Sequence, residues 1–374
     1  MKIAIFHANA GAGHKKVAQV IEQGFLRRGL PKNQVYQEDA LDTTPFWFRS
    51  SYPAIYFHSV KNTPGMWGWS YETLDHPGAY AAIHPLRTFS NRLVGGKLLK
   101  RVIDEQPDVI ITTHFYSAEL FARAKREGKI ASQLITVITD FLPHSFWINR
   151  GTDIYWGMCE ETAQALFLRG VPRQSIIAGG IPVDEVFKPA GRRKEIRAKH
   201  GFDPDKFTLL LTSGSFGLGP QKEILKHLEP LKDRIQCFTV CGNNKELKED
   251  LDRQHYPFPV RNFGFVDFMA DLMEASDVIV AKSGGSTTTE SLVKTIPMVV
   301  MHPIPGQETR NANILKNRNA AFFMEEAFQI QLIVKLILDQ PDILEAKKKE
   351  IRRLARPNAT EDLITFVLDG RLPS

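Results

Sequence analysis

Residues 277–292 read DVIVAKSGGSTTTESL, and this stretch indicates how the second half of the chain folds. The run Asp277–Ala281 is typical of a buried β-strand, and a helical pattern follows the two glycines. Glycines at such a junction let a ligand approach the backbone, where the helix presents unpaired N–H groups and a positive dipole end. The stretch therefore predicts a strand, an anion-binding loop and a helix.

Hydroxyl and carboxylate side chains extend this predicted site. Glu290 lies one turn beyond Ser286 on the same face, where its carboxylate can accept hydrogen bonds from both hydroxyls of a ribose. The alternative is a capping box, because Thr287 and Glu290 have the required spacing. The glycine pair favours nucleotide binding. The candidate residues are Lys282, Gly284, Gly285, Ser286, Thr287 and Glu290.

Apolar runs alternate with helical patterns along the whole chain, which predicts parallel sheets covered by helices on both faces. The predicted strands of the first half are Lys2–Ala8, Asp108–His114, Leu134–Asp140, Ile154–Met158 and Ser175–Gly179. Those of the second half are Phe207–Thr212, Cys237–Cys241, Asn262–Val266, Asp277–Ala281 and Met298–His302. We therefore expect an α/β protein with two doubly wound, Rossmann-like domains.

The domain boundaries follow from length and linker composition. The chain has 374 residues, more than the roughly 250–300 at which a single core stops growing. A polar stretch with Pro and Gly at 187–194 separates the two series of strands. We expect an N-terminal domain at 1–188, a C-terminal domain at 189–356, and a segment at 357–374 whose helix returns to the N-terminal domain.

A second glycine loop, NAGAGHKK at 9–16, connects the first predicted strand to the first predicted helix. A dinucleotide fingerprint would need a glycine where Lys16 stands, and the Walker A pattern is not matched. His14 stands at the start of the helix, where it is either a general base or a structural residue. Its position at the carboxyl end of a strand favours the catalytic interpretation.

The motif TVITDFLPHSFW at 136–147 places Asp140 at the end of a predicted strand and His144 four residues later. Ligands of open parallel sheets bind at the carboxyl ends of strands. Asp140 can therefore orient a base, act as one, or bind an acceptor hydroxyl. The alternative is a capping or turn aspartate.

Loops after other strands of the second domain supply further candidate contacts. The GFV sequence at 264–266 offers backbone groups to the edge of a base, with Phe265 as an apolar wall. Gln307 and Glu308, in the loop HPIPGQE, are suited to reading sugar hydroxyls. The remaining candidates on this side are Gly214, Ser215, Gly242, Asn243, Gly264 and Val266.

Composition narrows the class of partner. The net charge of +6 favours an anionic partner, but the charges are interspersed, so nucleic acid is disfavoured. Three cysteines suit a reducing compartment, and no run is long enough for a membrane-spanning helix. We expect a cytoplasmic protein. The aromatic segment 45–80 fits either core packing or contact with lipid.

These motifs together resemble the family-28 glycosyltransferases of GT-B fold, and among them the monogalactosyldiacylglycerol synthases and the bacterial processive diacylglycerol glucosyltransferases. The resemblance rests on GAGH, TDFLPH, AGGIPV, CGNN, GFV, KSGGSTTTE and PIPGQE, which span nearly the whole chain in the order of the family. It implies two domains that face a cleft. It also implies an inverting transfer of a hexose or N-acetylhexosamine from a UDP-sugar to a lipid, most simply diacylglycerol, in glycolipid biosynthesis.

The resemblance also implies roles for residues and partners. The base is held by Gly264–Val266, the ribose by Glu290, the diphosphate by Ser215, Ser286 and Thr287, and the sugar by Gln307 and Glu308. His14 is the candidate base and Asp140 its competitor. The acceptor side is assigned to Gly13, Trp67, Phe141 and His144. No cofactor or catalytic metal is expected.

The family's N-terminal domain implies peripheral contact with the inner face of the cell membrane and its anionic surface. Two other interpretations stay open, namely a UDP-sugar 2-epimerase and a non-catalytic UDP-sugar sensor of the same fold. The sequence leaves the donor sugar, the lipid, the processivity and the oligomeric state undetermined.

Overall fold

The computed structural model describes residues 1–9, 11–214, 217 and 219–373. The chain divides into two compact units. The first unit comprises 1–183, 304–310 and the C-terminal segment from Asn358, and the second comprises 184–303 and 311–357. The short segment 304–310 therefore belongs with the first unit, although the sequence around it continues in the second.

The first unit is built on a six-stranded parallel sheet with the strand order β2-β1-β3-β4-β5-β6. All five residues of β1 are buried, as expected for an apolar strand that is covered on both faces. The order reverses between β1 and β3, because the chain runs outward from β1 in both directions. The strands are β1 (Ile3–His7), β2 (Val35–Asp39), β3 (Val109–Thr112), β4 (Gln133–Val137), β5 (Ile154–Trp156) and β6 (Ile176–Ile177).

Helices cover this sheet and connect its strands. The helices are α1 (Ala12–Arg27), α2 (Phe46–Asn62), α3 (Pro64–Asp75), α4 (Pro77–Val94), α5 (Gly96–Glu105), α6 (Phe115–Arg126) and α7 (Glu160–Leu168). The predicted strand Leu134–Asp140 is shorter than expected, since β4 ends at Val137 and Asp140 lies in the loop beyond it.

The C-terminal helix packs on α1, which confirms the predicted return to the N-terminal domain. Gly24 of α1 lies so close to Ile364 that an added Cβ would come within 2.2 Å of its Cδ1 atom. The Thr360 hydroxyl donates to the Val183 carbonyl oxygen at 2.7 Å and accepts from the Val183 N–H at 3.0 Å. This last helix spans Ala359–Asp369.

The second unit repeats the same plan with a six-stranded parallel sheet of order β12-β11-β10-β7-β8-β9. Its core is formed by the fully buried central strands and the apolar faces of the surrounding helices. The order reverses between β7 and β10. The strands are β7 (Phe207–Thr212), β8 (Ile235–Val240), β9 (Val260–Phe263), β10 (Val278–Ala281), β11 (Met298–Met301) and β12 (Ala321–Met324).

The helices of the second half complete the fold. They are α8 (Arg193–Lys199), α9 (Gln221–Leu228), α10 (Lys245–Arg253), α11 (Met269–Ala275), α12 (Gly285–Val293), α13 (Gln307–Asn317), α14 (Gln329–Asp339) and α15 (Pro341–Leu354), and the C-terminal helix Ala359–Asp369 is α16. Two parallel sheets with helices confirm the predicted α/β class.

The aromatic segment is helical, and some of its rings face the solvent. The helices α2, α3 and α4 occupy most of 46–94, and prolines stand at the first positions of α3 and α4, where the missing N–H costs nothing. Phe46 is 82% exposed, Trp47 63% and Trp69 70%. No helix within the described part of the chain is long and apolar enough to cross a membrane.

Candidate functional site

The candidate base of the first unit lies where the strand order reverses. Ligands of doubly wound sheets bind in the crevice outside the carboxyl ends of the two strands at such a point. Here those strands are β1 and β3. His14 is in the first turn of α1, directly after β1, and Thr113 directly follows β3. The sequence motif GAGH is thereby brought to the expected crevice.

Hydrogen bonds fix the imidazole of His14. Its Nδ1 atom lies 2.7 Å from the Thr113 carbonyl oxygen and 3.0 Å from the Thr139 hydroxyl. A carbonyl oxygen only accepts, so Nδ1 carries the proton and Nε2 keeps a lone pair. Burial lowers the pKa of His14 to about 4, although the bond to Thr113 acts in the opposite direction. The ring is therefore neutral at neutral pH and can accept a proton through Nε2.

Asp140 joins the same cluster through a tryptophan. The indole Nε1–H of Trp147 donates to Asp140 Oδ2 at 3.2 Å, and the Trp147 ring centre lies 6.2 Å from that of His14. Burial raises the pKa of Asp140 to about 6, while the Trp147 hydrogen bond and the charge of Arg310 oppose that shift. Asp140 therefore stays mainly ionised at neutral pH and loses its charge just below it.

Several residues of this cluster were missed in the sequence. His114 caps α6 by accepting the Tyr116 N–H, and its ring centre lies 4.7 Å from that of His14. The run Thr112-Thr113-His114 at the end of an apolar strand was an available signal, because polar residues at the carboxyl end of a buried strand often face a ligand. No signal marked Trp147, whose bond to Asp140 depends on how the loop after β4 folds.

The predicted acceptor residues fall into two groups. Gly13 is in the first turn of α1, and the half-buried Trp67 packs near Tyr71, with ring centres 6.3 Å apart. Phe141 and His144, by contrast, are buried. The acceptor contacts of these residues stay predictions.

The ring of His144 is held by two internal hydrogen bonds. Its Nδ1 atom accepts the Phe146 N–H at 3.1 Å, and its Nε2 atom lies 2.9 Å from the Tyr71 carbonyl oxygen, to which it donates. Burial lowers the pKa of His144 to about 4. Both nitrogens are thus engaged within the protein, which identifies His144 as a capping and packing residue in this structure.

The glycine motif of the second unit also lies at a reversal of strand order. Gly214 follows β7, and the pair Gly284 and Gly285 follows the neighbouring strand β10. Gly284 is the N-cap of α12, with no side chain capping the helix. The N–H groups of Gly285, Ser286 and Thr287 have no partner within the helix, as in any first helical turn. This is the arrangement that binds phosphate in many α/β proteins.

Glu290 is buried on this helix, one turn from its start. The Ser286 hydroxyl donates to Glu290 Oε1 at 2.8 Å, which confirms that the two side chains share one face. The capping-box alternative is wrong, because α12 begins at Gly285 and Thr287 is inside its first turn, not at the N-cap. The carboxylate therefore lies near the start of the helix without forming the predicted capping box.

Neighbouring groups support this loop. The buried Asn311 donates from Nδ2 to the Ser283 carbonyl oxygen at 2.9 Å and so anchors the turn after Lys282. Gly217 adopts φ +61°, and an added Cβ there would come within 2.1 Å of the Cys241 carbonyl oxygen, so only glycine fits. Ser215, a predicted diphosphate contact, lies outside the described residues.

Further predicted donor loops lie one and two strands along the sheet from β7. Gly242 and the exposed Asn243 follow β8, and Gly264, Phe265 and Val266 follow its neighbour β9. Phe265 is 70% exposed, so its ring is available to a planar ligand. The side chain of Asn244, the last residue of the CGNN motif, caps α10 by accepting the Leu247 N–H at 3.0 Å.

Gln307 and Glu308 begin α13, within the segment 304–310 that belongs with the first unit. The carboxylate of Glu308 is buried and accepts the Ile304 N–H at 2.7 Å, which closes its own loop. Arg310, in the next turn, donates to both carboxylate oxygens of Glu72 at 3.0 and 2.6 Å. The loop thus has a structural role in addition to any contact with a sugar.

A buried carboxylate organises this side of the first unit. Asp75 accepts two hydrogen bonds from Arg169, at 2.6 and 2.7 Å, and pairs with Arg310 at 2.6 Å. It also accepts the Ser145 N–H at 2.6 Å. Burial opposes its ionisation, but the bonds from Arg169 and its other neighbours hold the pKa of Asp75 well below the usual range. Its partners are 70 to 235 residues away, so the sequence did not indicate the cluster.

Within the described residues, no group of three or more His, Cys, Asp or Glu side chains is arranged to hold a metal ion. Cys159, Cys237 and Cys241 are buried free thiols, and burial raises the pKa of each. They are therefore poor nucleophiles and poor metal ligands.

Structural neighbours agree with this architecture. The chain superposes on MurG of Acinetobacter baumannii with a TM-score of 0.61 and 16% identity, covering 98% of this chain and 99% of that one. It superposes on the UDP-bound MnaA of Staphylococcus aureus with a TM-score of 0.62 and 14% identity, covering 100% and 99%. At such identities the likeness concerns the fold alone.

Sequence relatives cover nearly the whole chain. The processive diacylglycerol beta-glucosyltransferases of Bacillus licheniformis and Bacillus subtilis are each 28% identical over 378 aligned positions, which span 98% of this chain and 94% of theirs. Residues 14–183 match the monogalactosyldiacylglycerol (MGDG) synthase family, and residues 208–362 match the glycosyltransferase family 28 C-terminal domain. The resemblance to the family-28 glycosyltransferases is therefore confirmed, with an N-terminal half similar to the MGDG synthases.

Proposed function

We propose that the chain transfers a hexose, or an N-acetylhexosamine, from a UDP-sugar to diacylglycerol in glycolipid biosynthesis. The observation that carries the proposal is the likeness, over 98% of the chain, to enzymes named processive diacylglycerol beta-glucosyltransferases. The two reversals of strand order support it, because at each of them a glycine loop of a type that binds ligands follows the carboxyl end of a strand.

The nucleoside diphosphate of the donor is proposed to bind the second unit. The diphosphate lies against the first turn of α12, where Gly284, Gly285, Ser286 and Thr287 offer N–H and hydroxyl groups. Glu290 accepts the hydrogen bonds of the ribose hydroxyls. The exposed ring of Phe265 stacks beside the uracil, with backbone groups of Gly264 and Val266 at its edge. Gln307 and Glu308 are the proposed contacts of the sugar.

The acceptor is proposed to react at His14. The acceptor hydroxyl gives its proton to Nε2 of His14 while its oxygen attacks the anomeric carbon, and the bond to UDP breaks with inversion. The neutral ring with its proton fixed on Nδ1 supports this role, since Nε2 is then the accepting atom. Ionised Asp140 accepts a hydrogen bond from the acceptor, and it is the alternative base.

The leaving group is stabilised by the second unit. Negative charge grows on the diphosphate as the sugar departs, and the N-terminus of α12 provides oriented N–H dipoles for it. Lys282, just before the loop, adds a positive charge. Such preorganised donors need not reorient during the reaction, which is why they lower its barrier.

The lipid acceptor requires contact with a membrane, and we propose the helices α2–α4 for it. Phe46, Trp47 and Trp69 expose aromatic rings there, and such rings favour the interface between water and lipid. The net charge of +6 favours an anionic surface. We propose that the protein is cytoplasmic and binds the inner face of the membrane peripherally.

The structural neighbours include a UDP-N-acetylglucosamine 2-epimerase with a TM-score of 0.61, so the fold alone does not separate transfer from epimerisation. Incubation with labelled UDP-sugars and diacylglycerol vesicles separates them. Transfer places label in the lipid fraction, whereas an epimerase converts one UDP-sugar into another without lipid, and a sensor does neither.

A further inference from the structure

We propose that the first unit contains an anion site of its own, in addition to the diphosphate site proposed for the second unit. It binds a phosphate ester whose alcohol portion carries further hydroxyl groups. The site is a cavity of about 380 Å³ between α4, α6 and the segment 148–150. This volume falls within the range of roughly 300–1,000 Å³ that is usual for ligand pockets. None of its residues belongs to the proposed donor or acceptor sites.

Three guanidinium groups line the cavity, from Arg123, Arg126 and Arg150. Among the residues that the structure describes, no carboxylate is paired with Arg126 or Arg150. The carboxylate of Glu119, also in the wall, accepts a hydrogen bond from Asn91 at 2.7 Å instead of pairing with an arginine. The lining therefore carries an excess of positive charge, and the planar guanidinium fork suits phosphate oxygens.

The buried Arg123 is only partly satisfied by its neighbours. It donates from one terminal nitrogen to the Thr88 carbonyl oxygen at 3.0 Å, while its Nε atom forms no hydrogen bond. The nearest carboxylate oxygen, in Glu127, is 3.7 Å from Nε, and Glu127 also pairs with Lys129. A buried charged donor of this kind is stabilised by an anion in the adjoining space.

Asn149 indicates that the ligand carries hydroxyl groups. Its Nδ2 atom donates to the Trp147 carbonyl oxygen at 3.1 Å and to that of Phe146 at 3.3 Å, so the orientation of the amide is determined. Its buried Oδ1 atom has no hydrogen bond. An amide oxygen needs a donor, which a hydroxyl supplies and a fully ionised phosphate does not.

The cavity wall is built by close packing and does not depend on a loose loop. Gly151 adopts φ +102°, and an added Cβ there would come within 2.3 Å of the Ala122 carbonyl oxygen of α6. The Tyr155 hydroxyl bridges the backbone of Asn149, donating to its carbonyl oxygen at 2.7 Å and accepting its N–H at 2.8 Å. The segment 148–150 is therefore held against α6.

Two sources share this chemistry, a glycerol-phosphate lipid headgroup and a soluble phosphate ester. The helix α4 contributes His84 to the cavity, and its opposite face exposes Leu86, Phe89 and Leu93. The arginines of the cavity wall suit the phosphate of either source. Both sources require Arg126 and Arg150.

The test is calorimetric titration of the full chain with sn-glycerol 3-phosphate and with methyl phosphate, with excess UDP present to occupy the proposed donor site. We expect one glycerol phosphate per chain, bound roughly 2- to 10-fold more tightly than methyl phosphate because of its hydroxyl groups. Arg126 and Arg150 are exposed, so their replacement should leave the fold intact. Arg126→Glu and Arg150→Glu should each weaken binding at least about ten-fold. The matched control Arg352→Glu, an exposed arginine of α15, should leave it unchanged.

Vesicle sedimentation then identifies the source. If Arg150→Glu, but not Arg352→Glu, weakens binding to phosphatidylcholine vesicles containing phosphatidylglycerol, the ligand is a lipid headgroup. Equal vesicle binding by both variants, with glycerol phosphate binding lost only in Arg150→Glu, identifies a soluble ester. Absence of phosphate binding, or an equal loss in Arg352→Glu, overturns the proposal without touching the proposed transferase activity.

Discussion

His14 donates from Nδ1 to the carbonyl oxygen of Thr113 over 2.7 Å, and this bond connects the loops that follow the two strands at the reversal of the first sheet. It determines which nitrogen of the ring is protonated. It also leaves Nε2 as the nitrogen that carries the lone pair. A histidine whose only role was to cap α1 would not need this hydrogen bond to Thr113, the residue that follows β3.

Replacement of the base should act on turnover and spare donor binding. For His14→Ala we expect kcat to fall about 10²–10⁴-fold, the usual contribution of a general base, with the Kd of UDP unchanged. Steady-state transfer assays and calorimetry measure the two quantities. The control His255→Ala, at an exposed position of the second unit, should match the parent in both. A normal kcat in His14→Ala would remove His14 from the mechanism.

The pH dependence should identify Asp140. Burial raises the pKa of Asp140 to about 6, so the group loses its negative charge as the pH falls through that value. We expect kcat/KM to decline below about pH 6 and to do so at lower pH in Asp140→Asn, where no carboxylate remains. Profiles between pH 5 and 8 measure this. A decline at the same pH in both proteins would assign it to another group.

The fold and the positions of the two glycine loops were predictable because their signals are local. Central strands such as β1, β7 and β10 are apolar runs that end in glycine loops, and parallel sheets align the ends of such strands. The edge strands β2 and β12 were missed. β2 has only one fully buried residue and β12 only two, so neither stands out as an apolar strand.

The side-chain partners were not predictable, because they depend on contacts between distant segments. Asp140 and His14 were both candidates, but Thr113, Thr139 and Trp147, which hold them, were not. The cluster around Asp75 joins α3, α7 and the start of α13, and nothing in the local sequence of Asp75 distinguishes it from a surface aspartate.

Donor binding should depend on the carboxylate at 290. Removal of a charged hydrogen-bond acceptor costs roughly 1.5–3 kcal/mol, so we expect Glu290→Ala to raise the Kd of UDP about 10- to 100-fold. Calorimetric titration with UDP measures the change. Glu249→Ala, on the exposed side of α10, serves as the control and should bind UDP normally. Unchanged affinity in Glu290→Ala would contradict the proposed ribose contact.

The ion cluster of the first unit should stabilise it. Asp75→Asn leaves Arg169 and Arg310 without their shared carboxylate, and we expect a loss of roughly 3 kcal/mol in the free energy of unfolding. All five tryptophans lie in the first unit, so tryptophan fluorescence during urea denaturation reports on that unit. Asp42→Asn breaks an exposed pair with Arg49 and should cost less than about 1 kcal/mol.

The stabilisation by Asp75 should also depend on pH. The pKa of Asp75 is lower in the folded protein than in the unfolded chain, so its contribution is complete above the unfolded value of about 3.9 and is lost as the pH falls toward the folded value. The difference in stability between the parent and Asp75→Asn should therefore shrink below about pH 4. A difference that stays constant down to pH 2 would contradict this account of the cluster.

Membrane binding should depend on the exposed rings of α2 and α3. Transfer of a large side chain out of water contributes about 1.5–3 kcal/mol, so Trp47→Ala and Trp69→Ala should each weaken binding to vesicles about 10- to 100-fold. Sedimentation with vesicles that contain anionic lipid measures the partition. Phe328→Ala removes a comparably exposed ring from the second unit and should have no effect. Equal effects in all three variants would show that binding is not specific to these helices.

Transfer of labelled sugar from a panel of UDP-sugars into vesicles containing diacylglycerol tests the central claim most directly. We predict that one donor labels the lipid fraction, that omission of diacylglycerol abolishes the label, and that His14→Ala reduces it at least about 100-fold. Bound, hydrolysed or epimerised UDP-sugar with no labelled lipid, under conditions in which the protein is attached to the vesicles, would contradict a diacylglycerol glycosyltransferase.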